Sequence, residues 1–322
     1  MTNYQKDKKG VNAIFALLCI IKGLIIVLSI GLPYIIRLFT KGNKPAEEML
    51  FGYDNLVGLI FELAYAGICI LVPLLIYYGL RDKKEAKDEL LLRRPTLLQM
   101  GVTIGYTSVF TMAVSFVANL ILVLILMLFG KELPTSTTSM PSNIWLIPIF
   151  LLTLAIFPAF TEEFIVRGAM MGKLKKYGLT FSIFVSSIAF SLLHNTIVQL
   201  PFALAAGLVI GYCTIKFQSI WVGVIAHFMI NLSSGIIQII YSLCSEEVGT
   251  ILVLLYMLLA ASFSIGLTIA GLIIYGIKIP KHLHARKEDT HGRWQLIFSS
   301  PFLYVFLVLF FVMFGVNIAS LQ

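Results

Sequence analysis

Long apolar runs broken by short polar connectors set the pattern of this chain. Nine runs are evident, near 11–38, 55–79, 98–129, 144–172, 179–197, 200–215, 219–243, 248–277 and 299–320. At a helical rise of about 1.5 Å per residue, eight of them can cross a hydrocarbon core of about 30 Å. The run 200–215 is short and opens near Pro201, a favoured first-turn residue. None alternates with the two-residue period of a barrel strand. The pattern therefore predicts an all-α polytopic membrane helix bundle with about nine transmembrane helices. Residues 1–322 read as a single membrane domain, because no connector is long enough to hold a soluble one. The first run is too long for a signal-peptide core and reads as a retained span.

Composition agrees. Of 322 residues 59% are hydrophobic and 12% charged, against about 25% charged in soluble domains. A net charge of +8 would suit nucleic acid if it were spread over a soluble surface, but here the basic residues gather in connectors. Clusters at Lys6–Lys9, Arg81–Arg94, Lys173–Lys176, Lys216 and Lys278–Arg293 fall on one side of an alternating nine-span topology. Only Arg37, Lys41, Lys44 and Lys131 fall on the other. The positive-inside rule then gives an N-in, C-out orientation, a lipid bilayer as partner and no nucleic acid. The cysteines Cys19, Cys69, Cys213 and Cys244 lie scattered, without ligand-like spacing, and read as packing residues. His282, His284 and His291 read as incidental members of a basic loop.

Seven ionisable side chains fall well inside the runs: Lys22, Glu62, Glu162, Glu163, Arg167, His194 and His227. A charged side chain at mid-helix costs about 2.5–3.5 kcal/mol on insertion scales, so these positions mark a functional site by default. Glu163 and Arg167 are four apart on one helical face and can pair, whereas Glu162 is rotated about 100° away and is free of that pair. Phe190 and His194 share a face on the fifth run, as do His227 and Asn231 on the seventh. Counted from the inner ends, Glu162, His194, His227 and Asn231 lie at overlapping depths of about 12–22 Å. That overlap predicts one shared site. Lys22 and Glu62 lie at similar depth on the first two runs, which predicts a pair tying those helices together.

A carboxylate and imidazoles in a partly dry cavity suit water activation. Glu162 can act as general base, and an imidazole and an amide can stabilise an oxyanion. Alternatively, Glu162, His194 and His227 can hold a zinc ion whose bound water attacks. No HExxH helix is present and no aspartate lies deep in a run. Ser233-Ser234-Gly235 is the one serine–glycine cluster near a candidate base, and it lies past His227 on the same helix.

Glu162-Glu163-x-x-x-Arg167, Phe190-x-x-x-His194 and His227-x-x-x-Asn231, in that order, resemble the three motifs of the CPBP family. This is the CAAX-protease and bacteriocin-processing family, also called Abi, which includes the type II CAAX prenyl endopeptidases. The resemblance covers about 144–235 and makes that stretch the catalytic helix core, with 1–143 and 244–322 as flanking helices. It implies an intramembrane endopeptidase acting on membrane-associated peptides or proteins. Glu162 and His194 would activate water, His227 and Asn231 would complete the site and stabilise the oxyanion, and Glu163, Arg167 and Phe190 would support it. Family members are usually described as metalloproteases, and a metal-free glutamate mechanism is argued as well, so the metal stays open. Peptide maturation, bacteriocin self-immunity and cleavage of membrane regulators fit this reading. Short loops and Ile/Leu richness point to a bacterial cytoplasmic membrane. Two other readings are a non-catalytic scaffold or immunity protein and a proton-coupled carrier. The lack of an inverted repeat counts against the carrier.

Overall fold

Proline placement shapes these helices as much as hydropathy does. The computed structural model describes residues 3–39, 55–128, 143–194, 196–278 and 292–319. Its helices are α1 (Asn3–Phe39), α2 (Leu56–Gly79), α3 (Lys83–Glu89), α4 (Leu97–Leu128), α5 (Ile144–Tyr177) and α6 (Leu179–Leu193). They continue as α7 (Gln199–Phe217), α8 (Ile220–Leu243), α9 (Glu246–Tyr275), α10 (Arg293–Phe298) and α11 (Pro301–Ala319). Among the described residues the only β pairing is an isolated bridge between Leu92 and Ser219. In α2 and α5 a π-helical turn ends two residues before a proline, at Gly67–Leu71 before Val72-Pro73 and at Leu152–Ile156 before Phe157-Pro158. Proline has no N–H to give and its ring crowds the carbonyl four residues back, so the helix widens there.

The all-helical expectation holds over the described residues, which do not confirm the count of nine spans. Among the described residues, seven helices are long and apolar enough to cross a membrane: α1, α2, α4, α5, α7, α8 and α9. One expected span is shorter: helix α6 has 15 residues and stops at Leu193, whereas α11 runs for 19 residues. His282, His284, His291, Lys41, Lys44 and Lys131 lie outside the described residues.

Helix α7 packs against α6, α4 and α8, while α8 also packs on α5 and α4, and α9 packs on α4. Helix α1 lies against α11 and α2 and touches the second half of α5. Apolar burial gives little drive between helices in lipid, so close contact depends on small residues. A Cβ built on Gly105 of α4 would come within 2.7 Å of Leu267 Cβ and 2.9 Å of the Ser264 carbonyl on α9. One on Gly207 of α7 would meet Ser187 of α6 at 2.9 Å.

The basic connectors meet at one end of the bundle. Arg81 holds Glu89 through two bonds of 2.6 and 2.8 Å. Lys173 reaches the same carboxylate at 3.4 Å, and Lys176 pairs with Asp7. Arg293 donates to the Tyr177 carbonyl at 3.3 Å, Lys216 donates to that of Gly276, and the Ile220 amide donates to Leu91 at 2.7 Å.

Candidate active site

Helix α5 delivers both acids of the first motif. Between its two wider π-helical stretches, Leu152–Ile156 and Phe164–Met171, lies a short α-helical piece, Phe157–Glu163, that ends on them. The carbonyl of Phe164 accepts a 2.9 Å bond from the Tyr78 hydroxyl of α2, which fixes this part of α5 from the side.

Glu163 and Arg167 pair at 2.7 Å with both side chains fully buried, as their four-residue spacing predicts. The pair does more than neutralise itself. Glu163 Oε1 also accepts from His227 Nδ1 at 3.0 Å. Arg167 donates to the Gly207 carbonyl at 3.3 Å and lies 4.8 Å over the Phe190 ring. Glu163 Oε2 is buried and has no hydrogen-bond partner. A Cβ on Gly223, one helical turn before His227, would stand 2.8 Å from that oxygen, so the glycine makes room for the carboxylate.

Glu162 points elsewhere, as its rotation predicts. Its side chain is 20% exposed, and its Oε2 is buried, without a hydrogen-bond partner, 4.0 Å from His227 Nε2. With Nδ1–H donated to Glu163, a neutral His227 presents a bare Nε2 towards Glu162.

His194 differs from its sequence expectation. It does not lie within α6 but directly after it, with extended backbone (φ −79°, ψ 153°). Its Nδ1 donates to the Phe190 carbonyl at 3.0 Å, and the two rings meet edge to face at 5.0 Å. Phe190 also meets the His227 ring, at 5.6 Å and 80°. One phenylalanine thus carries both imidazoles and the guanidinium of Arg167. Because a carbonyl can only accept, a neutral His194 also keeps its proton on Nδ1 and leaves Nε2 bare. Asn231 is half-buried on the turn of α8 after His227 and makes no side-chain hydrogen bond among the described residues. Ser233 is engaged with the Tyr256 hydroxyl at 2.8 Å.

Two imidazoles anchored at Nδ1 beside a carboxylate are chemically a zinc-type donor set. Among the described residues, however, no three His, Cys, Asp or Glu side chains converge to hold a metal ion. The arrangement supports a paired acid and imidazole able to share a water.

Sequence reasoning missed three supports. The link from Glu163 to His227 crosses between helices, so spacing does not reveal it. Gly223 carried a signal, a small residue four positions before a polar one on the same helix. Lys22, expected to meet Glu62, donates to the carbonyls of Leu192 and Leu193 at 3.1 and 3.0 Å and is fully buried.

An apolar cavity of about 490 Å³ runs beside the motif helix. Leu71, Leu74 and Tyr78 of α2 and Phe160 and Phe164 of α5 line it, with Lys83 and Lys87 of α3 at its edge.

No curated protein and no solved structure matches the chain. Residues 143–233, which hold both acids, both imidazoles and Asn231, match the family model described as type II CAAX prenyl endopeptidase, Rce1-like, and over that stretch the chain is CAAX protease-like.

Proposed function

We propose that this chain is an intramembrane endopeptidase in which Glu162 activates water against a peptide carbonyl. The observation that carries the reading is the buried, unpartnered Glu162 Oε2 facing His227 Nε2 across 4.0 Å. A water about 2.8 Å from both atoms would see them at an angle of about 90°, close to its own bonding directions. The water oxygen bonds to the carbonyl carbon as one proton passes to Glu162. The tetrahedral oxyanion then collapses, the C–N bond breaks, and Glu162 returns the proton to the leaving nitrogen.

The water gives one hydrogen to Glu162 and the other to one imidazole at a time, His227 or His194, each of which offers a bare Nε2. The donor to the oxyanion is Asn231, whose amide has no other side-chain bond among the described residues. This shifts His227 from oxyanion stabiliser to water holder. A zinc site on Glu162, His194 and His227 needs those side chains to converge, and the described ones do not. The water-activating step is therefore assigned to the carboxylate.

The substrate is a membrane-associated peptide or protein tail with an apolar stretch, for which the cavity beside Phe160 and Phe164 offers a berth. We place the basic end of the bundle in the cytoplasm of a bacterial cell, giving N-in, C-out and cleavage in the inner half of the bilayer. Peptide maturation and bacteriocin self-immunity both suit such an activity.

The test uses purified protein in liposomes and two fluorogenic peptides. One ends in a farnesylated CAAX sequence, and the other is an unmodified apolar helix. Glu162→Gln should lower cleavage by about 10²–10⁴-fold at unchanged protein level. Wild-type cleavage rates in Glu162→Gln would overturn the reading. Transport without cleavage would favour a carrier, and a phenotype that survives both Glu162→Gln and His194→Ala would favour a scaffold.

A further inference from the structure

A helix that ends inside a membrane leaves its last four carbonyls without intrahelical partners, and hydrocarbon offers none. Helix α6 ends this way at Leu193, directly before His194. All four carbonyls can be accounted for. That of Phe190 accepts from His194 Nδ1 at 3.0 Å, and that of Ser191 accepts from the His194 amide at 3.0 Å. Those of Leu192 and Leu193 both accept from Lys22 Nζ, at 3.1 and 3.0 Å. The histidine thus closes half of the helix end, and a lysine from a different helix closes the other half.

We propose that Lys22 is a positioning residue for the active site, holding the end of α6 so that the His194 ring stays in its working orientation. The proposal rests on the reading of His194 as a water-positioning group. Lys22 sits on α1, far outside the matched residues 143–233, and its side chain is 0% exposed. A buried ammonium is costly unless it is well bonded. Carbonyls at a helix C-terminus are a favourable site for it, since the helix dipole places negative charge there. The Phe310 ring of α11, 5.6 Å from Nζ, adds a π-face to the same ammonium.

Without the ammonium, the Leu192 and Leu193 carbonyls must find other donors. Of the donors bonded to this helix end, His194 remains, already serving Phe190 and Ser191. Competition for its N–H groups would turn the ring away from Phe190 and from the shared water. The substrate-binding surface elsewhere would be unchanged. The effect should therefore fall on the chemical step and not on substrate affinity.

The experiment compares wild type, Lys22→Met, Lys22→Arg and Glu162→Gln in the liposome assay, with hydrogen–deuterium exchange over residues 186–194. Lys22→Met should lower kcat by about a hundredfold with KM nearly unchanged, the signature of a misplaced group. Lys22→Arg, which keeps charge and donors, should restore most of that loss. Exchange at the end of α6 should quicken in Lys22→Met and return towards wild type in Lys22→Arg. Should Lys22→Met fail to accumulate, Lys22→Gln, a neutral donor, is read in its place. Unchanged kcat overturns the proposal even if exchange quickens, because the tie is then only structural. Unchanged exchange overturns it even if kcat falls. If Glu162→Gln cleaves like wild type, the endopeptidase reading fails by itself, and exchange still reports whether Lys22 holds the helix end.

Discussion

One carboxylate oxygen, Glu163 Oε1, accepts from both Arg167 and His227, at 2.7 and 3.0 Å. Two tasks therefore depend on one residue. It neutralises a fully buried guanidinium, and it fixes which nitrogen of His227 faces Glu162. Glu163→Gln should expose both. Leaving Arg167 buried without its counter-charge should cost about 3–5 kcal/mol, enough to reduce accumulation in the membrane. Adding Arg167→Met removes the stranded cation and should restore accumulation, read by detergent-solubilised yield and melting temperature. Cleavage by the double variant should stay at least about tenfold below wild type, because His227 has lost its charged acceptor. Full activity in the double variant would show that Glu163 serves the fold alone. At this scale the pairing of Glu163 with Arg167 was legible, since four-residue spacing on a helix nearly dictates it. The bond to His227 was not, since it depends on how α5 and α8 pack. The bonds of Lys22 to the Leu192 and Leu193 carbonyls were not legible for a related reason. A sequence shows possible carboxylate partners, but it does not show which backbone carbonyls a helix end leaves open.

Among the elements, α5 shows how a local irregularity sets a site. The π turn Leu152–Ile156 precedes Phe157-Pro158, and only the short piece Phe157–Glu163 follows before the winding changes again. Each π turn holds one residue more than an α turn would, which rotates all that follows by about 100°. The facing of Glu162 and Glu163 thus depends on Pro158. Pro158→Ala restores an N–H and removes the ring clash, so α winding can resume. Helix stability should not fall, since proline inside a helix costs about 3 kcal/mol relative to alanine. Cleavage should fall by about tenfold or more as the two acids rotate from their partners. A melting curve beside a cleavage rate checks both, and wild-type cleavage would show that packing, not winding, aims the acids. The helices themselves were largely legible from long apolar runs. The early end of α6 was not, because Phe190-x-x-x-His194 looks equally helical whether the helix continues or stops, and the structure ends it at Leu193.

For the molecule as a whole, the connectors decide which way the site faces. Five separate basic clusters meet at one end, through Arg81–Glu89, Lys173–Glu89, Lys176–Asp7, Arg293–Tyr177 and Lys216–Gly276. The more exposed of these pairs, Lys176–Asp7, is worth about 0–1 kcal/mol and does not explain why the chain folds. Their shared location matters more, because a basic end is retained on the cytoplasmic side during insertion. Glu162 lies eleven residues before Lys173 on α5, about 16 Å along the helix, so the orientation of this end fixes the leaflet in which the proposed cleavage would occur. The proposal can be read directly in a variant lacking Cys19, Cys69, Cys213 and Cys244. A cysteine replacing exposed Lys87 should react with a membrane-impermeant maleimide only after the membrane is opened. One replacing exposed Glu246, at the start of α9, should react in intact cells. The opposite labelling would invert the molecule and put the acids in the outer half. Equal labelling of both from one side would mean that α8 does not cross, and the shared depth of Glu162, His194 and His227 would then no longer follow from the topology.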